Sequence, residues 1–105
     1  MNLELRLIAK SEVKNLHDAP YRHALGLYEY EVIKDVRGNY PFKKIRVADG
    51  VVFNKRLTSA AKRKIGTTTG LRMTPLSKYK TLQTWEMIDQ LRPNFDLPIY
   101  TPKLD

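Results

Sequence analysis

The segment from residue 22 to residue 34 constrains the fold more than any other part of the sequence. Its side chains divide between two alternating faces, one with Ala24, Gly26, Tyr28, Tyr30 and Val32, the other with Leu25, Leu27, Glu29 and Glu31. Successive side chains of a β-strand point to opposite faces, so this period of two predicts one long strand. Both faces are apolar in the first half, and the second face is polar afterwards. We therefore expect a strand that changes packing partners midway, with Gly26 at a bend or bulge.

Further short strands are predicted on either side of this segment. Leu3, Leu5 and Leu7 alternate with polar residues, which is typical of a half-buried strand. Alternation returns over residues 44–47 and over residues 70–76. The chain therefore contains several strands whose apolar sides face a common core.

The connections between these strands carry turn residues. Gly38, within residues 36–41, tolerates a positive φ and predicts a turn there. Asp49-Gly50 predicts a tight turn, with residues 51–53 as the following strand of a hairpin. Residues 58–64 predict one or two helical turns.

The last quarter of the chain is less regular. Residues 81–91 fit either a strand or a helix, and we favour the strand. The tail is rich in proline, which predicts an extended segment laid over the rest of the domain. Its expected anchors are Phe95, Leu97 and Tyr100.

These elements predict one mostly-β domain over residues 1–105. Five or six short strands and at most one short helix favour a small antiparallel barrel of the oligonucleotide/oligosaccharide-binding (OB) type. Closure of a barrel removes the exposed strand edges that a small open sheet would leave.

Two runs resemble parts of OB-like domains in uncharacterised exported bacterial proteins. Tyr21-Arg22-His23-Ala24-Leu25, followed by Tyr28-Glu29-Tyr30-Glu31-Val32 and Gly38, resembles the opening strand of netrin/TIMP-like domains. The ending Phe95-Asp96-Leu97-Pro98-Ile99-Tyr100 resembles an FDLP-aliphatic-Tyr ending of such exported domains. The resemblance implies an OB-like fold and an extracytoplasmic location if a leader has been trimmed, and otherwise we expect a cytoplasmic one. The chain lacks the cysteines of the netrin class, so an inhibitory role is not implied.

The positive charge is concentrated in one third of the chain. The net charge is +8, and residues 50–85 contain no Asp or Glu. Such a field favours polyanions, although a charged block can also be a solubilising surface. The predicted basic patch consists of Lys55, Arg56, Lys62, Arg63, Lys64, Arg72, Lys78 and Lys80.

Three aromatic residues lie within or beside this block. Phe53, Tyr79 and Trp85 are candidate stacking residues, because OB barrels bind single strands with a basic groove and aromatic platforms. The alternative is that Phe53 and Trp85 belong to the core. We expect a non-catalytic binding or accessory module with a basic face for an acidic partner, which is a protein, a polysaccharide or a nucleic acid. The alternative is an OB-fold protein that binds single-stranded nucleic acid.

No motif in the sequence predicts catalysis, a metal or a cofactor. The chain has no cysteine, and its serines lack a G-x-S-x-G elbow. Its two histidines, His17 and His23, fall short of the three or four ligands that zinc requires. Glu29 and Glu31 share one strand face, which predicts an ordinary outward polar face, and the alternative is pairing with cations on a neighbouring strand. No apolar run is long enough to span a membrane.

Overall fold

The computed structural model describes residues 2–13, 22–35, 38, 40–91 and 98–102. These residues form seven strands and three short 3₁₀ helices, with no longer helix among them. The strands are β1 (Asn2–Lys10), β2 (Ala24–Asp35), β3 (Lys44–Phe53), β4 (Arg56–Leu57), β5 (Thr68–Pro75), β6 (Glu86–Ile88) and β7 (Ile99–Pro102). The helices are Ala60–Lys62, Leu76–Lys78 and Leu82–Thr84.

Five of the strands close a barrel. β1 pairs with β2 and β5, β2 pairs with β3, and β7 joins β3 to β5. The β3–β7 pair is parallel, and the other four pairs of the ring are antiparallel. β4 extends β3 as a hairpin, and β6 adds to the start of β2. The prediction of a mostly-β small barrel is confirmed.

The alternation of β1 and β2 places their side chains as the sequence predicts. Leu3, Leu5 and Leu7 are buried, whereas Glu4 and Arg6 between them are exposed. In β2 the residues with inward side chains include Tyr28 and Tyr30, which belong to the barrel core together with residues of β3.

The outer face of β2 is apolar at its start because a second hydrophobic cluster covers it. Leu25 of β2 and Ala48 of β3 pack there with Leu82, from the long connection between β5 and β7. Leu76, Tyr79, Trp85, Met87 and Ile99 pack against the same cluster. The predicted change of partners along β2 therefore reflects a barrel core on one side and this connection on the other.

The predicted tight turn at Asp49-Gly50 is wrong, because β3 continues through it to Phe53. The carboxylate of Asp49 is buried and accepts a hydrogen bond from the Tyr30 hydroxyl at 3.0 Å. The turn lies at Asn54 and Lys55 instead, whose φ values of 50° and 62° are those of a type I′ hairpin turn.

Gly26 is a point of close approach between β2 and β3. A Cβ at this position would lie 2.8 Å from Cγ1 of Val51. The β-bulge predicted at Gly26 lies instead on β3. The register shifts there, because Ala24 pairs with Val52 and Leu25 pairs with Gly50. Gly38 has a φ of 66°, as its turn requires, while the flanking residues 36, 37 and 39 lie outside the described part of the chain.

The end of the chain differs from the prediction. Residues 81–91 contain both alternatives, a 3₁₀ turn at Leu82–Thr84 followed by β6. The described part of the tail, β7, does not lie over the barrel, because it is one of the five barrel strands and pairs with β3 and β5. Tyr100 packs against the core, and the other two predicted anchors, Phe95 and Leu97, lie outside the described residues.

Candidate functional site

The barrel distributes the eight cations of the predicted basic patch over separate places. Lys55 and Arg56 lie in the β3–β4 hairpin, and Lys78 and Lys80 lie in the connection after β5. Lys62, Arg63 and Lys64 lie in or just after the first 3₁₀ helix, and Arg72 lies in β5. Their common position in the sequence therefore does not place the eight cations on one element of the fold.

Arg72 lies apart from the others. β5 pairs with β1 and β7, and Arg72 lies opposite Asn2. Together with Lys34 and Glu4 it lines a depression of about 540 Å³ over β1 and β5. Both signs of charge occur in this depression, so it is a weaker candidate for an anion site.

Arg63 points inward and pairs with an acid. Its guanidinium donates a hydrogen bond to the Tyr30 hydroxyl and lies 3.6 Å from Oδ2 of Asp49. Burial raises the pKa of Asp49, and the positive charge of Arg63 opposes that rise. Burial likewise raises the pKa of Tyr30. Arg63 is therefore a structural residue rather than part of an open binding surface.

The segment that carries Arg63 is fixed to the barrel by residues of β1 and β2. Nζ of Lys10 donates hydrogen bonds to the carbonyls of Ala61 and Arg63 at 2.9 and 2.7 Å, and the Tyr28 hydroxyl donates to Ala60 at 3.1 Å. Lys62 and Lys64 are the exposed cations of this segment.

The three predicted aromatic residues and two of the predicted cations come together in one groove. It has a volume of about 600 Å³ and lies beside the cluster that covers the outer face of β2 and β3. Its lining residues are Phe53, Lys78, Tyr79, Lys80, Thr81, Leu82 and Trp85. Most of the accessible lining is apolar, with the two lysines as its charged members.

Phe53 and Trp85 form a cluster of rings with His23. The ring centroids lie 4.8 Å apart for Phe53 and His23, 4.7 Å for His23 and Trp85, and 6.2 Å for Phe53 and Trp85. The last distance is well below the sum of the other two, so the rings form a triangle rather than a column. The His23 and Trp85 rings are nearly parallel, with 21° between their planes.

Sequence reasoning placed His23 near the start of the long strand and missed its place among the aromatic rings. Its Nδ1 accepts a hydrogen bond from the Asn54 amide at 3.2 Å, which ties the ring to the hairpin turn. The pairing of β2 with β3 accounts for the place of His23 beside Phe53. Ala24 pairs with Val52, which places the preceding His23 beside Phe53. His17 lies outside the described residues.

Phe53 is open to solvent, whereas Trp85 is half-buried. The Phe53 side chain is 53% exposed, which excludes it from the core. Trp85 packs on the outer cluster and lies over the backbone of Gly50, whose added Cβ would be 3.9 Å from the indole. The two rings thus form a wall that is anchored on one side and accessible on the other.

More cations lie at the hairpin end of the groove. Arg56 pairs directly with Phe53, and side chains of directly opposed residues project from the same face of a hairpin. The Lys55 amide donates to the Arg22 carbonyl at 3.0 Å, which holds exposed Arg22 beside the turn. Phe53 is therefore surrounded by Arg22, His23, Lys55 and Arg56, and Lys78 and Lys80 lie on the rim of the groove.

Three acidic residues of β2 and β6 are turned away from this surface or paired with a cation. Glu86 follows Trp85, but alternation along β6 directs it to the side of Ile88, whereas Met87 packs with Trp85 on the outer cluster. Farther along β2, Glu29 pairs with Lys44 at 3.6 Å and Glu31 pairs with Arg6 at 3.7 Å. Both glutamates thus form the cross-strand pairs that the sequence left as the alternative to an unpaired polar face.

Within the described ranges, no group of three or more histidines and carboxylates is placed to hold a metal ion. The same residues include no helix with the length and apolar character needed to cross a bilayer. Comparisons of the chain with protein-family models, curated proteins and solved structures found no match.

Proposed function

We propose that the protein is a non-catalytic binding module of the OB type that holds an acidic partner in the groove beside Phe53. The strand order of the ring supports the OB assignment. In chain order the five barrel strands are β1, β2, β3, β5 and β7, and around the ring the last two exchange places. OB barrels are five-stranded Greek-key barrels that bind ligands on the face of strands 2 and 3, with help from the loops before strand 2 and between strands 4 and 5.

The groove lies at one end of the corresponding face in this chain, beside the end of β3. Arg22 and His23 precede β2, Phe53 ends β3, and Lys78 and Trp85 belong to the connection between β5 and β7. Three separate segments of the sequence thus contribute to one surface, which is the usual way in which a rigid scaffold positions a binding site.

The observation that carries the proposal is the position of Lys78 and Lys80 on the rim of an apolar groove whose wall is the exposed ring of Phe53. A solubilising surface typically mixes charges of both signs and avoids large exposed apolar side chains. Here cations of one sign adjoin an exposed ring, with Arg56 on the same hairpin face. This combination favours an acidic partner that also has an apolar part.

The lining of the groove supports binding rather than catalysis. Its described residues offer the hydroxyls of Thr81 and Tyr79 and no carboxylate. The nearby His23 uses Nδ1 to accept the Asn54 amide. General acid–base catalysis needs a free proton acceptor within hydrogen-bond reach of a substrate, and a nucleophile needs an adjacent base.

A titration of the protein with single-stranded DNA, single-stranded RNA and an acidic polysaccharide tests the proposal. For three or four phosphate contacts, affinity should fall about 20- to 50-fold between about 50 and 200 mM salt, because binding releases counterions. Lys78→Glu/Lys80→Glu should remove most of this binding.

The matched control is Lys34→Glu/Arg72→Glu, which changes the net charge by the same amount at the depression over β1 and β5. It should retain most of the affinity. The proposal is wrong if none of the three polyanions binds, or if both double variants weaken binding equally, since the second result would indicate attraction by net charge alone.

A further inference from the structure

We infer that the acidic partner is a single-stranded nucleic acid, and that one of its bases stacks on the exposed face of Phe53 while neighbouring phosphates contact Lys78 and Lys80. This inference rests on the function proposed above and names the ligand class of the same groove. It concerns a contact that charge alone does not supply.

The exposure of Phe53 and its ring contacts support stacking of a base. Phe53 is 53% exposed and lies beside two other aromatic rings. His23 and Trp85 contact it from the protein side, with centroids at 4.8 and 6.2 Å. They hold the Phe53 ring in place, and the 53% exposure of Phe53 leaves ring surface accessible to a planar partner.

The three rings are also held rigidly. Trp85 lies against the β3 backbone at Gly50, and His23 is hydrogen-bonded to the Asn54 amide. Phe53 ends β3 and pairs with Arg56 across a type I′ turn. A preorganised ring loses little conformational freedom on binding, so more of the stacking energy contributes to affinity.

Nucleic acid matches both parts of the groove, the exposed aromatic ring and the two lysines. Nucleic acid combines a flat π-system with a phosphate in every unit, whereas an acidic polysaccharide has no flat ring. A base that is paired and stacked in a duplex does not expose its face, so the match is to a single strand. The groove volume of about 600 Å³ is within the range of sites that bind nucleotide-sized groups.

The chain has a built-in probe for this contact. Trp85 is the one tryptophan in the sequence, and it belongs to the ring cluster. Its fluorescence can be followed during titration with a short oligo-dT strand, with an abasic strand of the same phosphate number, and with heparin. We expect oligo-dT to change the Trp85 emission and to bind about 5- to 150-fold more tightly than the abasic strand, the range for one stacked base.

Phe53→Ala should remove the preference for oligo-dT over the abasic strand without weakening the abasic strand itself. Phe53→Leu, which keeps apolar bulk without a π-system, should lose most of the preference as well. Phe42→Ala is the matched control, because Phe42 is also an exposed phenylalanine (45%) and precedes the opposite end of β3, about 30 Å away by strand rise. It should keep the full preference.

The possible results separate this inference from the proposed function. Equal affinity for the abasic strand and oligo-dT would overturn the stacking inference and leave a polyanion-binding module. Binding of heparin with no binding of oligo-dT would also overturn it. If no polyanion binds at all, the inference and the proposed function both fail.

Discussion

Replacing Arg63 by methionine tests the role of the buried network formed by Arg63, Asp49 and Tyr30. Asp49 is 3% exposed, and its Oδ2 accepts the Tyr30 hydroxyl at 3.0 Å and lies 3.6 Å from the Arg63 guanidinium. Methionine keeps much of the apolar length of the side chain but removes the positive charge. We therefore expect Arg63→Met to leave a buried carboxylate without its ion-pair partner.

The size of the effect follows from the burial of the two partners. Removing one partner of a buried ion pair typically costs about 3 to 5 kcal/mol. The Arg63 side chain is 20% exposed, so water partly replaces the missing charge, and we expect a loss of about 3 kcal/mol in the free energy of unfolding. For a chain of 105 residues the unfolding entropy is about 0.22 kcal/mol/K, so the melting temperature should fall by about 14 °C.

The pH dependence of the loss identifies its cause. Burial raises the pKa of Asp49 above its ordinary value of 3.8, and Arg63 opposes this rise, so the pKa should be higher still in the variant. An acid with a raised pKa in the folded state stabilises the fold at low pH, and that contribution is lost as the pH rises through the folded-state pKa. The difference in stability between parent and variant should therefore be largest near neutral pH and should shrink as the pH is lowered toward 4.

Urea unfolding followed by circular dichroism at several pH values measures these differences. Arg6→Met is the matched control, because Arg6 forms an ion pair with Glu31 in which both side chains are nearly half exposed, and its loss should cost less than about 1 kcal/mol. Asp49→Asn combined with Arg63→Met should recover part of the stability, since the amide carries no charge. The reasoning is refuted if Arg63→Met is no more harmful than Arg6→Met, or if acid does not narrow its deficit.

Three further predictions concern the barrel. Gly26→Ala should lower the free energy of unfolding by about 1 to 3 kcal/mol, because the new Cβ would lie 2.8 Å from Val51 Cγ1, and Val51→Ala should relieve part of this loss in urea titrations. Lys55→Gly should raise the melting temperature by about 2 to 4 °C, because glycine accepts the φ of 62° without strain, and a lower value would contradict the type I′ turn. Burial raises the pKa values of Tyr28 and Tyr40 to about 12, so stability should fall as the pH rises from 10 toward 12, and a spectrophotometric titration at alkaline pH should show these two phenols ionising late. Ionisation of all six tyrosines in one step near pH 10 would disprove it.

The strands that sequence reasoning predicted well are those whose burial follows a local period. Leu3, Leu5 and Leu7 are all buried in the barrel, and the two faces of β2 have the two sets of partners that the pattern indicated. Asp49-Gly50 was misread because its conformation depends on a distant partner. The Tyr30 hydroxyl donates a hydrogen bond to the Asp49 carboxylate, and the Arg63 guanidinium pairs with it. Asp49 can therefore be buried within β3 and does not lie in a solvent-exposed turn.

The candidate site could be predicted only in part for the same reason. Composition identified the three aromatic residues and the cations Lys78 and Lys80, all of which line the groove. Nearness in the sequence could not show that Arg63 turns inward or that Arg72 lies on β5, opposite Asn2. A charge count treats all cations alike. In the structure Arg63 is paired with a buried carboxylate, whereas Lys78 and Lys80 are exposed.

The connection between β5 and β7 determines how much of the proposed binding face is open. Leu76, Leu82 and Met87 of this connection pack on the outer side of β2 and β3, where an OB barrel would otherwise present its ligand surface. The apolar face is therefore filled by the protein's own chain, and the accessible part is confined to the end of the hairpin beside Phe53. Such an arrangement suits a short contact, with few bases and few phosphates, better than a strand laid along the whole face. For the proposed function we therefore expect a footprint of only a few nucleotides and a salt dependence that corresponds to three or four phosphate contacts.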